Sequence, residues 1–453
     1  MLASLTNIVR IPELRRKLAV TFALLVVYRI GWHIFLPGID VGKVERLLER
    51  AAQGGGFGAI LAFAGAITGG NPSQCMVFSL GIMPYISASI IFSLLVKVIP
   101  SLEALSKEGE AGRKKINQYT RYATVGLCIL QSMFIVGWMH QQHQGIGSLV
   151  LPQYQGSFLF NVSTVIALTT GTIFLMWLGE QISEFGIGNG ISLIIMAGII
   201  ARMPQALFDL IMAIPNSLKE EGKAGATLSV LKLLVLVALF IGVVLAVVLM
   251  QQSQRRIPIQ QAKHTRGRRV YGGQRHYLPF RINAAGVMPV IFAQSLLLIP
   301  VMILNWVGLD VGTNFRAERG FWYITLTIGL IYFFTYFWTS LQFNPVEMAN
   351  NMKEYGSFIP GIRPGRKTAE YLEEIMNRIT MVGAAFLSAV TIFPTLVASV
   401  MKVDLYVASF LGGTGILIVV GVALDIVQKV ESHLLMRHYE GFIKRGKIRG
   451  RRG

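Results

Sequence analysis

The chain has 453 residues, of which 53% are hydrophobic and 14% charged, and its 42 Lys and Arg against 23 Asp and Glu leave a net charge of +19. Soluble domains carry about 25% charged residues. The composition therefore excludes a water-soluble globular fold and indicates an all-α polytopic membrane protein whose surplus positive charge lies in its loops. The two cysteines, Cys75 and Cys128, fall in apolar stretches and make neither a disulfide framework nor a metal-ligand spacing.

Hydropathy predicts ten transmembrane helices, at about 18–36, 75–99, 122–139, 158–178, 188–208, 226–250, 286–306, 321–343, 379–401 and 406–426. The basic start, Arg10, Arg15, Arg16 and Lys17, runs directly into the first span without a small-residue cleavage site, so no cleavable signal is expected. With the N-terminus inside, the inner segments 1–17, 100–121, 179–187, 251–285, 344–378 and 428–453 hold 30 of the 42 basic residues, and the outer loops hold 8. That bias places both termini in the cytoplasm.

After the first span comes "GGGFGAILAFAGAITGG", residues 54–70. Its apolar middle is too short to cross a bilayer, which takes about 20 residues, and it is hinged by glycines at both ends. The second span contains Gly81-Ile82-Met83-Pro84-Tyr85-Ile86, and the seventh contains Gly286-Val287-Met288-Pro289-Val290-Ile291. Both read G-[IV]-M-P-x-I. Dividing the chain at 1–215 and 216–453 puts one copy in the second helix of each five-span half. An odd number of spans per half makes the halves inverted relative to each other. Pro84 and Pro289 are expected to interrupt their spans, which in inverted-repeat membrane proteins marks the working site; the plainer alternative is two kinks that ease packing.

Spans 3, 4, 7, 8 and 9 contain no Asp, Glu, Lys or Arg, and span 2 has only Lys97, near its end, which argues against a coupled ion transporter. Arg29 and Arg202 lie deeper than the other charges and call for a partner or a polar cavity. No metalloprotease or serine-hydrolase motif is present, so an enzyme is not expected, and no cofactor is implied.

The cytoplasmic segment 251–285 holds eight basic residues and no acid, with Arg255, Arg256, Lys263, Arg266, Arg268 and Arg269 crowded together. Such a run repels itself unless an anionic partner binds it. It serves either as a docking surface or as a topology signal that touches anionic lipid headgroups. The "RRIPIQ" and "RRVY" pieces predict strands of a projecting hairpin. In 344–378, Pro360, Gly361, Pro364 and Gly365 bracket Arg363 and fix its backbone direction. The tail, 428–453, is basic and suits lipid headgroups or RNA phosphates.

"GIMPYISASII" (81–91), "KEGEAGRKKINQYTRY" (107–122), "GTIFLMWLGEQISEFGIGNGIS" (171–192), "GRRVYGG" (267–273) and "FIPGIRPGR" (358–366) together resemble the bacterial SecY family. Its members are central subunits of the Sec protein-conducting channel, and the resemblance covers nearly the whole chain. It implies ten helices in two pseudo-symmetric halves that open at a lateral gate between helices 2 and 7. It implies a re-entrant plug helix at about 58–68, including Ala59, Ile60, Leu61, Ala62, Phe63, Ala64 and Ile67. By motif it implies a pore ring of Ile82, Ile86, Ile191, Ile195, Ile291 and Ile418, able to close around an extended chain and to exclude ions by dewetting. Polar gate candidates are Ser87, Gln131 and Gln294, beside Pro84 and Pro289; Ser93 stands where relatives often carry an amide.

The resemblance further assigns Arg255, Arg256, Lys263, Arg268, Arg269 and Arg363 to docking of the ribosome and of SecA. The partners it implies are SecE, SecG, SecA, translating ribosomes and nascent polypeptides bearing signal sequences. The location it implies is the bacterial inner membrane. Energy would come from partners, since the chain has no Walker-type loop. A secondary transporter of small solutes is the alternative, and a structural scaffold a second one; the first predicts a polar midplane site, and the second leaves the plug glycines and the isoleucines without a role.

Overall fold

The computed structural model describes residues 12–46, 75–140, 147–201, 203–204, 208, 234–261, 264–266, 269–271, 275–294, 296–297, 321–401 and 412–445. The plug segment, Lys263, Arg268 and Arg202 lie outside the described residues. The chain divides into two compact units, Met1–Pro204 together with Val422–Gly453, and Gln205–Gly421.

In the first unit, α1 (Pro12–Gly31) is followed by α2 (Met83–Val98) and α3 (Pro100–Lys107), which meets α2 at a bend of 98°. Pro100 sits in the first turn of α3, where its missing N–H costs nothing. α4 (Glu110–His140) and α5 (Phe158–Phe185) follow, and then the short α6 (Gly190–Ile200). Ser157 caps α5 by accepting from the Phe160 amide at 3.5 Å. Beyond the membrane ends of these helices, Ile39 and Val150 form a bridge, as do Phe35 and Met76. These bridges bury a core of Leu36, Val44, Leu80, Met139, Leu149 and Phe160. Ile39, Val44, Leu149 and Val150, from predicted outer loops, thus pack with residues at the ends of the predicted spans into a cap.

In the second unit, α7 (Leu234–Gln252) leads into a sheet. Strands β1 (Gln254–Gln261) and β4 (Arg275–Arg281) pair antiparallel, with Ile257 opposite Leu278 and Arg255 opposite Phe280. β2 (His264–Arg266) and β3 (Arg269–Tyr271) extend the hairpin toward its tip. A helix at 288–294 follows, then α8 (Phe321–Gln342), α9 (Pro345–Glu354), β5 (Ser357–Phe358), α10 (Arg366–Met401) and α11 (Gly413–Arg445). α11 passes from the second unit into the first, where Val430 and Ile426 pack with Leu14 and Ile187.

Six helices among the described residues are long and apolar enough to cross a membrane, seven if α2 and α3 are one broken span. Helix occupies part of each of the ten predicted spans. Two details differ from expectation. α5 runs to Phe185, so the predicted loop at 179–187 shrinks to a tight turn. α1 ends at Gly31, which puts Arg29 in its exposed last turn, where a cation interacts favourably with the negative helix end.

Candidate functional site

The two copies of G-[IV]-M-P-x-I have one backbone shape. Residues 77–82 and 282–287 are runs of turns, and in each copy the helix begins at the methionine, Met83 or Met288. Gly81 (φ +58°) and Gly286 (φ +64°) both occupy the left-handed region that disfavours any side chain. The Ile82 carbonyl accepts from the Ile86 amide at 3.1 Å, and the Val287 carbonyl accepts from the Ile291 amide at 3.3 Å. Pro84 and Pro289 therefore do not kink a helix interior, contrary to what their place within the predicted spans implies. They stand in the first turn, where no intrahelical N–H bond is lost and the fixed φ is already helical. The break is the turn before them.

Four of the six ring isoleucines belong to the first unit and two to the second. Ile82 is 1% exposed at the end of its turn run, and Ile86 is buried one helical turn on. Ile191 and Ile195 stand on α6, Ile195 buried and Ile191 half-buried. Their placement is tightly fixed. Asn189 caps α6 by accepting from the Ile191 amide at 3.1 Å and the Ser192 amide at 3.5 Å. The Gly190 amide donates to Ser183 Oγ at 2.8 Å. A Cβ on Gly190 would lie 1.9 Å from the Gly179 carbonyl oxygen, so the crossing of α5 and α6 tolerates only glycine there. In the second unit, Ile291 and Ile418 are buried. Gln251 at the end of α7 donates its amide to the Leu417 carbonyl at 3.2 Å, fastening α11 one residue before Ile418.

Among the gate candidates, Ser87 and Gln131 are half-buried, and Pro84 and Pro289 are buried. Gln294 is 5% exposed and its Oε1 is a buried acceptor with no hydrogen-bond partner among the described residues, a costly arrangement. The Ser93 hydroxyl donates to the Ile90 carbonyl of its own helix at 2.7 Å. A feature missed in the sequence is the two-pronged pair between Arg121 on α4 and Glu180 on α5, at 2.9 Å through both Nε and Nη2. Only the helical continuation of α5 past Gly179 brings these residues together.

The two loops expected on the cytoplasmic side, within 251–285 and 344–378, form one body. β5, from the second loop, pairs with β1, from the first, at Gln260 and Gln261. Beneath them Ile257, Phe280, Ile359, Leu372, Ile375 and Met376 form a core. Cross-strand partners share a face and the faces alternate. Arg255 thus lies on the face of Ile257 and Phe280, while Arg256 lies on the outer face with Arg275, Tyr277 and Arg281. Arg255 and Arg256 are both exposed, and Arg269 lies in β3. Arg363 is exposed between two left-handed glycines, Gly361 (φ +85°) and Gly365 (φ +103°), and its carbonyl accepts from the Thr368 hydroxyl at 2.9 Å. The bracketing turns do fix its direction. The pairing of the two loops had no local signal, because β5 is two residues long.

A family model described as SecY matches residues 76–427. The chain is 41% identical to the protein translocase subunit SecY of Thermotoga maritima over 446 residues, covering 98% of this chain and 99% of that one. It is 42% identical to the Escherichia coli K12 subunit over 445 residues, covering 97% and 96%. Among solved structures it resembles a protein-conducting channel with a TM-score of 0.61, 20% identity and 92% of each chain covered. It also resembles the Sec61 channel of a canine ribosome–channel complex, with a TM-score of 0.59, 19% identity and the same coverage.

Proposed function

The chain belongs to the SecY family of protein translocase subunits, and on that premise we propose how its residues divide the work of a gated, passive pore for unfolded polypeptides. The observation that carries the reading is the doubled turn-and-helix motif. In each unit a left-handed glycine ends a helix-free approach, and an isoleucine is set on the first turn of the helix that follows. Ile82, Ile86, Ile191, Ile195, Ile291 and Ile418 form the constriction, branched side chains that seal against water yet hold no sequence tightly. Helix 2 (α2) and helix 7 (from Met288) form the lateral gate, with Ser87, Gln131 and Gln294 beside Pro84 and Pro289. Apolar segments leave through it into lipid by partitioning.

The halves 1–215 and 216–453 hinge about this waist, and residues 58–68 plug it from outside. Arg255, Arg256, Lys263, Arg268, Arg269 and Arg363 dock the ribosome and SecA; the acid-free strand pair and the exposure of Arg256 and Arg363 support this. SecE and SecG complete the channel, in the bacterial inner membrane with both termini cytoplasmic, as the Lys and Arg bias argues. The test is crosslinking from a cysteine at Ile86 or Ile291 to a stalled, partly exported chain. Adducts at both positions are expected; a stalled chain that reaches neither sinks the assignment.

A further inference from the structure

Between α1 and α5, both in the first unit, lies an open groove of about 530 Å³ whose walls are charged at one end and apolar at the other. On α1 the lining runs Glu13, Arg16 and Lys17, then Val20, then Leu24, a single helix face at i, i+3/i+4 spacing. On α5 it runs Trp177, Gln181, then Glu184 and Phe185, again one face. The helices are antiparallel in sequence sense, so Glu184 comes level with the charged start of α1 and Trp177 with its apolar middle. From Arg16 to Leu24 is about 12 Å at 1.5 Å per residue. That is the depth over which a leaflet passes from headgroup to acyl chain.

The walls are held. Thr21 on α1 accepts from the Ile187 amide at 3.2 Å and donates to the Lys17 carbonyl at 2.9 Å, clamping the end of α5 to α1. Trp177 packs on Phe174, with ring centroids 5.7 Å apart, and remains 48% exposed. Phe185 is 54% exposed.

We propose that this groove binds one phospholipid, phosphatidylethanolamine, with its headgroup at the charged end. The charge count selects that headgroup. Two cations, Arg16 and Lys17, face two carboxylates, Glu13 and Glu184, so among the described lining residues the charges of the mouth balance. A net-anionic headgroup finds its phosphate partners but meets the carboxylates with more negative charge. A zwitterion satisfies both sets, with phosphate on Arg16 and Lys17 and ammonium on Glu184. Phosphatidylcholine has the same charges but no N–H to give a carboxylate, so ethanolamine binds better. One acyl chain then lies along Val20, Leu24 and Trp177, where an indole suits the interface.

The test uses the full chain extracted from vesicles of equal phosphatidylethanolamine, phosphatidylglycerol and phosphatidylcholine, with retained lipid read by native mass spectrometry. Retention should favour ethanolamine over choline by about tenfold, the size of one charge-assisted hydrogen bond. Glu184→Gln should abolish that preference, and Arg16→Gln with Lys17→Gln should lower retention of all three. These are surface side chains, and an unchanged melting temperature verifies the fold. Preferential retention of phosphatidylglycerol, or an unchanged ratio in Glu184→Gln, overturns the proposal. A photoreactive residue replacing Val20 separates occupants in native membranes: lipid adducts support the site, and adducts chiefly to a second protein's helix overturn it.

Discussion

The two copies of the glycine–proline motif share a backbone but not an approach. The copy at Gly81 follows an outer cap, reached through the Phe35–Met76 bridge, and before that the glycine-hinged apolar stretch 54–70. The copy at Gly286 follows directly on β4 of the basic sheet, where the Ile282 amide donates to the Ser253 carbonyl at 3.1 Å. On the Lys and Arg count, one copy is entered from the outer side and the other from the cytoplasm. The same device holds isoleucine at the start of a helix in each unit. What precedes it differs in sequence: a glycine-hinged apolar stretch before one copy, a basic strand pair before the other.

Deleting 58–68 should break the comparison most visibly. Resting ion conductance in planar bilayers should rise sharply, while docking of cytoplasmic partners stays intact. Unchanged conductance would remove the plug from the account. The complementary change, Arg268→Glu with Arg269→Glu, should leave conductance and membrane insertion alone and weaken ribosome or SecA binding by about tenfold or more, with a reduced salt slope. Equal binding by that variant would make the hairpin a topology signal only.

A finer contrast lies within the sheet. Arg256→Glu should weaken docking several-fold more than Arg255→Glu, because only Arg256 shares the outer face with Arg275 and Tyr277; equal losses in a binding titration would contradict that division. The two motif glycines should then behave alike. Gly81→Ala and Gly286→Ala should each cost about 1–2 kcal/mol through the left-handed backbone, measured by denaturant or thermal unfolding. A large difference would mean the two turns are not equivalent.

The smallest effect is expected at the start of α10. Hydrogen bonding from Lys367 holds the Glu370 carboxyl below its ordinary range, and the same bond raises Lys367. A lowered carboxylate contributes above its unfolded value, and the contribution is lost as pH falls through the folded one. Melting temperature should not move between pH 7 and pH 6, and any loss should begin only below about 4. Both side chains are exposed, so Glu370→Gln should leave the melting temperature unchanged within error.

Much of this was legible in order along the chain. Hydropathy placed ten apolar stretches, each of which carries helix among the described residues, because lipid demands long apolar helices, and the strand character of "RRIPIQ" was visible in its alternation. The doubled motif was visible as six letters. Its meaning was not. A proline within a predicted span reads as a kink, and only the left-handed glycines and turn runs show that each helix starts there. The "FGIGNGIS" stretch likewise showed glycines without their reason. The reason at Gly190 is the 1.9 Å approach to the Gly179 carbonyl oxygen that a Cβ would make, a fact of helix crossing.

The sequence by itself determined what local physics governs: the membrane class, the Lys and Arg bias toward one side, and the apolar residues available for a seal. Tertiary structure alone decided what depends on distant partners. It joined β5 to β1 across nearly a hundred residues, paired Arg121 with Glu180, and decided which of the two faces of β1, that of Arg255 or that of Arg256, packs on the core. Hydropathy and charge act residue by residue and are summed along a window. Pairing, crossing and register are fixed only when separate segments compete for the same buried surface and the same backbone hydrogen bonds.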